Sequence, residues 1–120
     1  MTRIIGTVTP KVEALLGLTS PADKRIYIAP SNLKHMQTSH PADWAKYGTE
    51  IFNILAAPDY VGQNPKDGSI EYVKEFVVDG EFVKVAVRLS LSGHYYARSL
   101  YVLNNSRVQN FIAKGTLKKV

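Results

Sequence analysis

From Ser69 onward the hydrophobic rhythm of the chain has a period of two, broken only by turn residues. SIEYVKEFVV is followed by DGE and FVKVAVRLSL, and then by Ser92-Gly93 and HYYARSLYVL. Such alternation predicts half-buried strands, and Asp79-Gly80 supplies the positive φ that a tight hairpin turn needs. Three successive antiparallel strands constrain the rest of the chain, because one face of their sheet must be covered.

The preceding residues supply the cover. TPKVEALLGL (9–18) predicts a short helix capped by Thr9, with Pro10 in its first turn and Gly17 at its end. RIYIA (25–29) reads as a short strand before Pro30. Ser31 or Asn32 then caps a helix that Pro41 ends or bends. In the next segment Trp44, Tyr47, Ile51, Ile54 and Leu55 recur at helical intervals; Gly48 weakens the pattern locally and Pro58 stops it. NPKDG has strong turn chemistry. After the strands, Asn104 or Asn105 caps a last helix, SRVQNFIAKG, which Gly115 closes. The expected fold is α+β: N-terminal helices packed on an about four-stranded antiparallel meander sheet, with a C-terminal helix. A chain of 120 residues suits one such domain, spanning residues 1–120.

Alternation also assigns faces. On the middle strand Val83, Val85, Val87 and Leu89 form the apolar set, opposite Phe82, Lys84, Ala86, Arg88 and Ser90. On the last strand Tyr95, Ala97, Ser99 and Tyr101 share one face, and Tyr96, Arg98, Leu100 and Val102 the other. On the first, Tyr72 and Lys74 lie with Ile70 and Phe76. One sheet face therefore presents cations, hydroxyls and tyrosines side by side. That mixture suits RNA, whose phosphates attract cations and whose splayed bases stack on tyrosine. It equally suits a solvated sheet face of cross-strand pairs.

Charge narrows the partners. A formal net charge of +5 and a pI near 9.5 favour polyanions. With 45% hydrophobic and 21% charged residues the chain reads as globular, and no apolar run approaches a membrane span. The start, MTRIIGTVTPK, has no apolar core of a signal peptide, so a cytoplasmic setting is expected. The lack of cysteine excludes disulfides, thiolate metal sites and a cysteine nucleophile. No glycine-rich phosphate loop, HExxH or GxSxG is present. No cofactor or metal is expected.

NLKHMQTSHP (32–41) holds two of the three histidines, His35 and His40. Helical residues five apart diverge by roughly 140°, so a regular helix cannot aim both at one point. His40, directly before Pro41, is expected to close the helix.

With these stretches in order, the chain resembles the phage-associated members of the barnase–EndoU–colicin–RelE-like nuclease superfamily. The resemblance rests on LKHM and SHP, then APDYVGQNPK, SIEYVKE, VKVAVRLS and YYARSLYVL. It implies N-terminal helices on a four-stranded antiparallel sheet and a metal-independent ribonuclease. RNA, such as a tRNA or an mRNA, is then the partner, with an acidic inhibitor or immunity protein as another. The matching positions make His35 the acid or base, Arg88 the phosphate clamp, and Ser99 and Tyr101 positioning groups. Lys34, His40, Tyr72, Lys74, Lys84 and Arg98 are the expected substrate-binding residues. One feature conflicts: Arg98 and Ser99 face opposite ways on a regular strand, so both line one pocket only if a bulge intervenes. The alternatives are a non-catalytic nucleic-acid-binding module and an interaction protein with a basic face. The role of His94 is left open.

Overall fold

Gly80 adopts a φ of 65°, as the alternation on either side of it requires, and Phe76 pairs with Glu81 across the turn. In the computed structural model, which describes residues 1–19 and 23–120, the elements are β1 (Arg3–Thr7), α1 (Pro10–Leu16), β2 (Arg25–Ile28), α2 (Pro30–Ser39), α3 (Pro41–Tyr47), a 3₁₀ turn (Gly48–Glu50), α4 (Ile51–Ala56), β3 (Tyr60–Gln63), β4 (Ile70–Phe76), β5 (Glu81–Leu89), β6 (Tyr95–Leu103), α5 (Asn105–Ala113) and β7 (Leu117–Lys119).

The sheet is larger than the meander. Among the described residues it has seven strands in the order β1-β2-β6-β5-β4-β3-β7, and β2 runs parallel to β6, so it is mixed rather than antiparallel. The expected four-stranded antiparallel sheet is corrected accordingly. β1, β3 and β7 are too short to show alternation, and tertiary pairing makes them strands. Gly62 in β3 shows how close that pairing is: a Cβ there would stand 2.7 Å from the carbonyl oxygen of Thr116.

The helix signals hold, with shifts at their ends. Thr9 Oγ1 accepts from the Val12 N–H, and Asn104 Oδ1 accepts from the Arg107 N–H. α2 begins at Pro30 with Ala29, not Ser31 or Asn32, at its N-cap; Asn32 lies in the first turn and its Oδ1 accepts from the Ala29 N–H at 2.9 Å. The helix expected across Gly48 breaks there into α3, the 3₁₀ turn and α4. The Trp44 indole lies against Gly48, 2.8 Å from where a Cβ would stand. Val77 and Val78, expected at the end of a strand, lie in the β4–β5 turn and are exposed.

Helices α1 to α4 cover one face of the sheet. Val83, Val85 and Val87 of β5 and Leu100 of β6 pack there with Met36 of α2 and Ile51, Ile54 and Leu55 of α4. The opposite face is only partly roofed: α5 brings Val108, Phe111 and Ile112 over Val73 and Phe82. Beyond α5 that face is half-buried at Glu71, Lys84, Ala86, Ser99 and Tyr101 and exposed at Arg88 and Arg98. Among the described residues no helix is long and apolar enough to cross a membrane.

Candidate active site

Cross-strand register builds the face opposite α1 to α4 in rows. Glu71, Ala86 and Ser99 stand abreast on β4, β5 and β6; Val73, Lys84 and Tyr101 form the next row. Arg88 lies opposite Tyr96, which neighbours Tyr27 on β2. Residues so opposed share a face, with Cβ atoms about 4.5–5.5 Å apart.

A regular β6 could not fill these rows. Its register shifts, with Ser99 opposite Ala86 but Ala97 opposite Val87, so Arg98 is an extra residue on β6. The strand's burial follows that bulge: Tyr95, Ala97 and Leu100 are buried, while Arg98 is exposed and Ser99 half-buried. Arg98 and Ser99 thus both leave the core, as β-bulges next to functional sites often re-aim a side chain.

A polar cleft of about 740 Å³ opens at this end of the face. One wall is the first turn of α2, with Ser31 and Asn32; the other is the β5–β6 hairpin, with Ser90 and Ser92; Arg88, Tyr96 and Arg98 lie between. Among the described residues neither arginine has a carboxylate at ion-pair distance, whereas Lys24, Arg25, Lys46 and Lys84 all do. Arg88 acts at longer range on Asp67, whose carboxyl is held low first by the Ser69 backbone N–H and to a lesser degree by this guanidinium. Arginines so placed in a polar cleft can receive an anion.

α2 follows β6 in the same direction, since its first turn shares the cleft with Tyr96 and Arg98 while His40 at its end reaches Tyr101. At about 100° per residue, His35 projects between the directions of Ser31 and Asn32, one turn further along. His35 is exposed, one turn beyond Ser31 and Asn32, and is not among the residues that line the cleft; among the described residues its ring bonds Ser39 Oγ at 3.3 Å. Lys34 is exposed as well and does not line the cleft.

His40 does more than close the helix. Its ring stacks on Tyr101 at 4.7 Å, and Lys84 Nζ lies 4.8 Å from the other partner of that stack, the Tyr101 ring. Lys84 also pairs with Glu71 Oε2 at 2.9 Å, and both side chains are mostly buried, 13% and 16% exposed. Burial opposes the charge on Lys84, but the Tyr101 hydroxyl and Glu71 outweigh it, and its pKa is raised. Lys84, Tyr101 and His40, with Glu71 from Ser99's own row, form a charged buttress beside Ser99.

Two expected binding residues lie elsewhere. Tyr72 has 0% exposure and belongs to the core, because it pairs with Val85 on the helix-covered face. Lys74 shares that face with Val83 and donates to the Ala57 carbonyl at 2.8 Å. Neither can reach the cleft. Leu89, expected in the apolar set, is 46% exposed and lines the cleft instead. Glu71 escaped the sequence reading because alternation fixes a face but not a cross-strand neighbour. Counting back from the Asp79-Gly80 turn would have placed it near Ala86.

A second cavity of about 800 Å³ lies between β1 and the helices, lined mostly by apolar groups such as Ile5, Trp44 and Phe52. Its chemistry does not suit a polyanion. Among the described residues no three histidine, aspartate or glutamate side chains gather as a metal-ligand set.

A family model described as phage-Barnase-EndoU-ColicinE5/D-RelE like nuclease3 matches residues 3–110. No curated protein and no solved structure matches the chain.

Proposed function

The chain belongs to the phage-associated barnase–EndoU–colicin–RelE-like nuclease family, and from that premise we propose that it is a metal-independent endoribonuclease. The reading rests above all on Arg88 and Arg98, two guanidinium groups in one polar cleft with no carboxylate at ion-pair distance among the described residues. It rests also on His35, exposed one turn further along the helix whose first turn walls that cleft. These are groups that neutralise phosphate and move protons. A substrate that carries its own nucleophile needs no more than that, and RNA carries one in its 2′-hydroxyl.

In this mechanism Arg88 and Arg98 grip the non-bridging oxygens of one phosphate, and their fixed charge is greatest in effect as negative charge gathers there. His35 takes the proton of the 2′-hydroxyl, a transfer suited to imidazole near neutrality. The 2′-oxygen bonds to phosphorus, the bond to the 5′-oxygen breaks, and that oxygen receives a proton. The products are a 2′,3′-cyclic phosphate and a 5′-hydroxyl. Ser99 lies on the cleft side of the Glu71–Lys84–Tyr101–His40 buttress, where its hydroxyl positions a phosphate oxygen.

The test is incubation of the pure protein with labelled RNA and with DNA of the same sequence, in EDTA. RNA cut to cyclic-phosphate ends, with DNA intact, supports the reading. Intact RNA at high protein concentration, or equal cutting of DNA, overturns it.

A further inference from the structure

The cleft has two walls, and the nuclease reading so far takes its histidine from the helix that forms one of them. The hairpin wall carries its own. Ser92 Oγ, which lines the cleft, lies 3.4 Å from His94 Nδ1. On the far side of the ring, His94 Nε2 lies 3.5 Å from Asp23 Oδ2. The line therefore runs from the cleft through a hydroxyl and an imidazole to a carboxylate.

Asp23 is a strongly held anchor. Arg25 donates to it from Nε at 2.9 Å and from its backbone N–H at 3.0 Å, and the Tyr27 hydroxyl donates at 2.8 Å. The Arg25 and Tyr27 bonds hold its carboxyl far below the usual carboxylate range, so it is an anion at any working pH. The His94 ring is steadied from the side by Tyr27, with centroids 5.6 Å apart. Ser90 Oγ completes the hairpin, 2.7 Å from Ser92 Oγ and accepting from the His94 backbone N–H at 3.2 Å.

We propose that Ser92, His94 and Asp23 form the proton-delivery line for the leaving 5′-oxygen, from the hairpin wall of the cleft. This rests on the ribonuclease reading of the cleft. Each ring nitrogen of His94 has an acceptor beside it, Asp23 Oδ2 on Nε2 and Ser92 Oγ on Nδ1, so a doubly protonated ring has both protons partnered. As the bond from phosphorus to the 5′-oxygen breaks, its electron pair goes to that oxygen, which takes the Ser92 hydroxyl proton. Ser92 takes the Nδ1 proton of His94, and the neutral ring remains hydrogen-bonded through Nε2–H to Asp23. Ser92 touches substrate; His94 acts through it, and Asp23 positions His94. With 43% of its side chain exposed, His94 regains its proton from solvent.

A leaving group that needs no proton separates this role from a structural one. The probe is an oligoribonucleotide with sulfur in place of the bridging 5′-oxygen at the cut site, compared with the ordinary oligoribonucleotide. His94→Gln is expected to slow cleavage of the ordinary substrate by about 10²–10⁴-fold and to cut the thio substrate within about threefold of the wild-type rate. Ser92→Ala is expected to follow the same pattern with a smaller loss, whereas His35→Ala stays slow on both. Equal losses on both substrates in His94→Gln and Ser92→Ala, or no loss on either, overturn the proposal while leaving the nuclease reading standing. A wild-type protein that cuts neither substrate overturns both.

Discussion

Arg98 and Ser99, adjacent in the chain, face the same side of the sheet. Ser99 pairs with Ala86 and Ala97 with Val87, so one residue of β6 has no partner and the strand's alternation restarts. Without that bulge Arg98 and Ser99 would part company, one toward the helices and one toward the cleft. The bulge brings a second guanidinium beside Arg88 and keeps the hydroxyl on the same floor.

In the proposed mechanism the two arginines act together. Arg98→Ala and Arg88→Ala are each expected to reduce cleavage by about 10²–10³-fold, as for loss of one preorganised donor at a charge-gathering centre. Both side chains are exposed, so the melting temperature should hardly move. Arg88→Lys should recover only part of the rate, because an ammonium cannot present a planar fork. Single-turnover assays beside thermal melts check all three.

His35 and His40 separate by the same logic. His35→Ala is expected to abolish most cleavage, about 10²–10⁴-fold, while RNA binding persists. His40→Ala removes a ring stack on Tyr101 worth about 0.5–1.5 kcal/mol, so it should cost stability first and rate only a few-fold. Gel-shift and rate measurements on both variants distinguish the two outcomes.

Much of this was legible in the sequence, and the rest was not for identifiable reasons. The period of two marked β4 to β6 and the glycines placed the turns between them, because both are local signals, but β4 ends at Phe76 and leaves Val77 and Val78 in the turn. His35 and Arg88 stand on the elements expected of them. The bulge was foreseen only as a condition, since nothing in YYARSLYVL marks where alternation restarts. Tyr72 was misplaced among binding residues because a tyrosine on a strand reads alike whether its face is wet or covered. His94 and Asp23 are brought together by the parallel pairing of β2 with β6, a contact between segments some 70 residues apart that no local pattern encodes.

Alkali gives a test of the helix packing. The Tyr47 hydroxyl is buried and donates to Glu81 at 2.6 Å and to Asp79 at 3.2 Å. Burial first, and then the Glu81 bond, push its pKa up to about 12. Because the folded value is raised, this contribution to stability is complete below the unfolded value of about 10 and is lost as pH rises toward 12. The melting temperature should fall across that window, and Tyr47→Phe should fall less steeply. Melting curves taken at intervals from pH 8 to about 12 read the difference.

Gly62 tests the added edge of the sheet. In Gly62→Ala the new methyl meets the Thr116 carbonyl oxygen, which as backbone cannot swing away. The variant is expected to lose about 1–3 kcal/mol, the range for overpacking. Urea unfolding measures it, and β7 should be the first element to lose amide protection, because it pairs only with β3.

The central claim is that RNA held in the Arg88–Arg98 cleft is cut by its own 2′-hydroxyl. The most direct measurement uses an oligoribonucleotide with one major cut site and a copy lacking only that site's 2′-hydroxyl, both in EDTA. The account predicts that cutting at the site vanishes in the deoxy copy while binding to the protein is retained. Cutting of both copies at equal rates would contradict it.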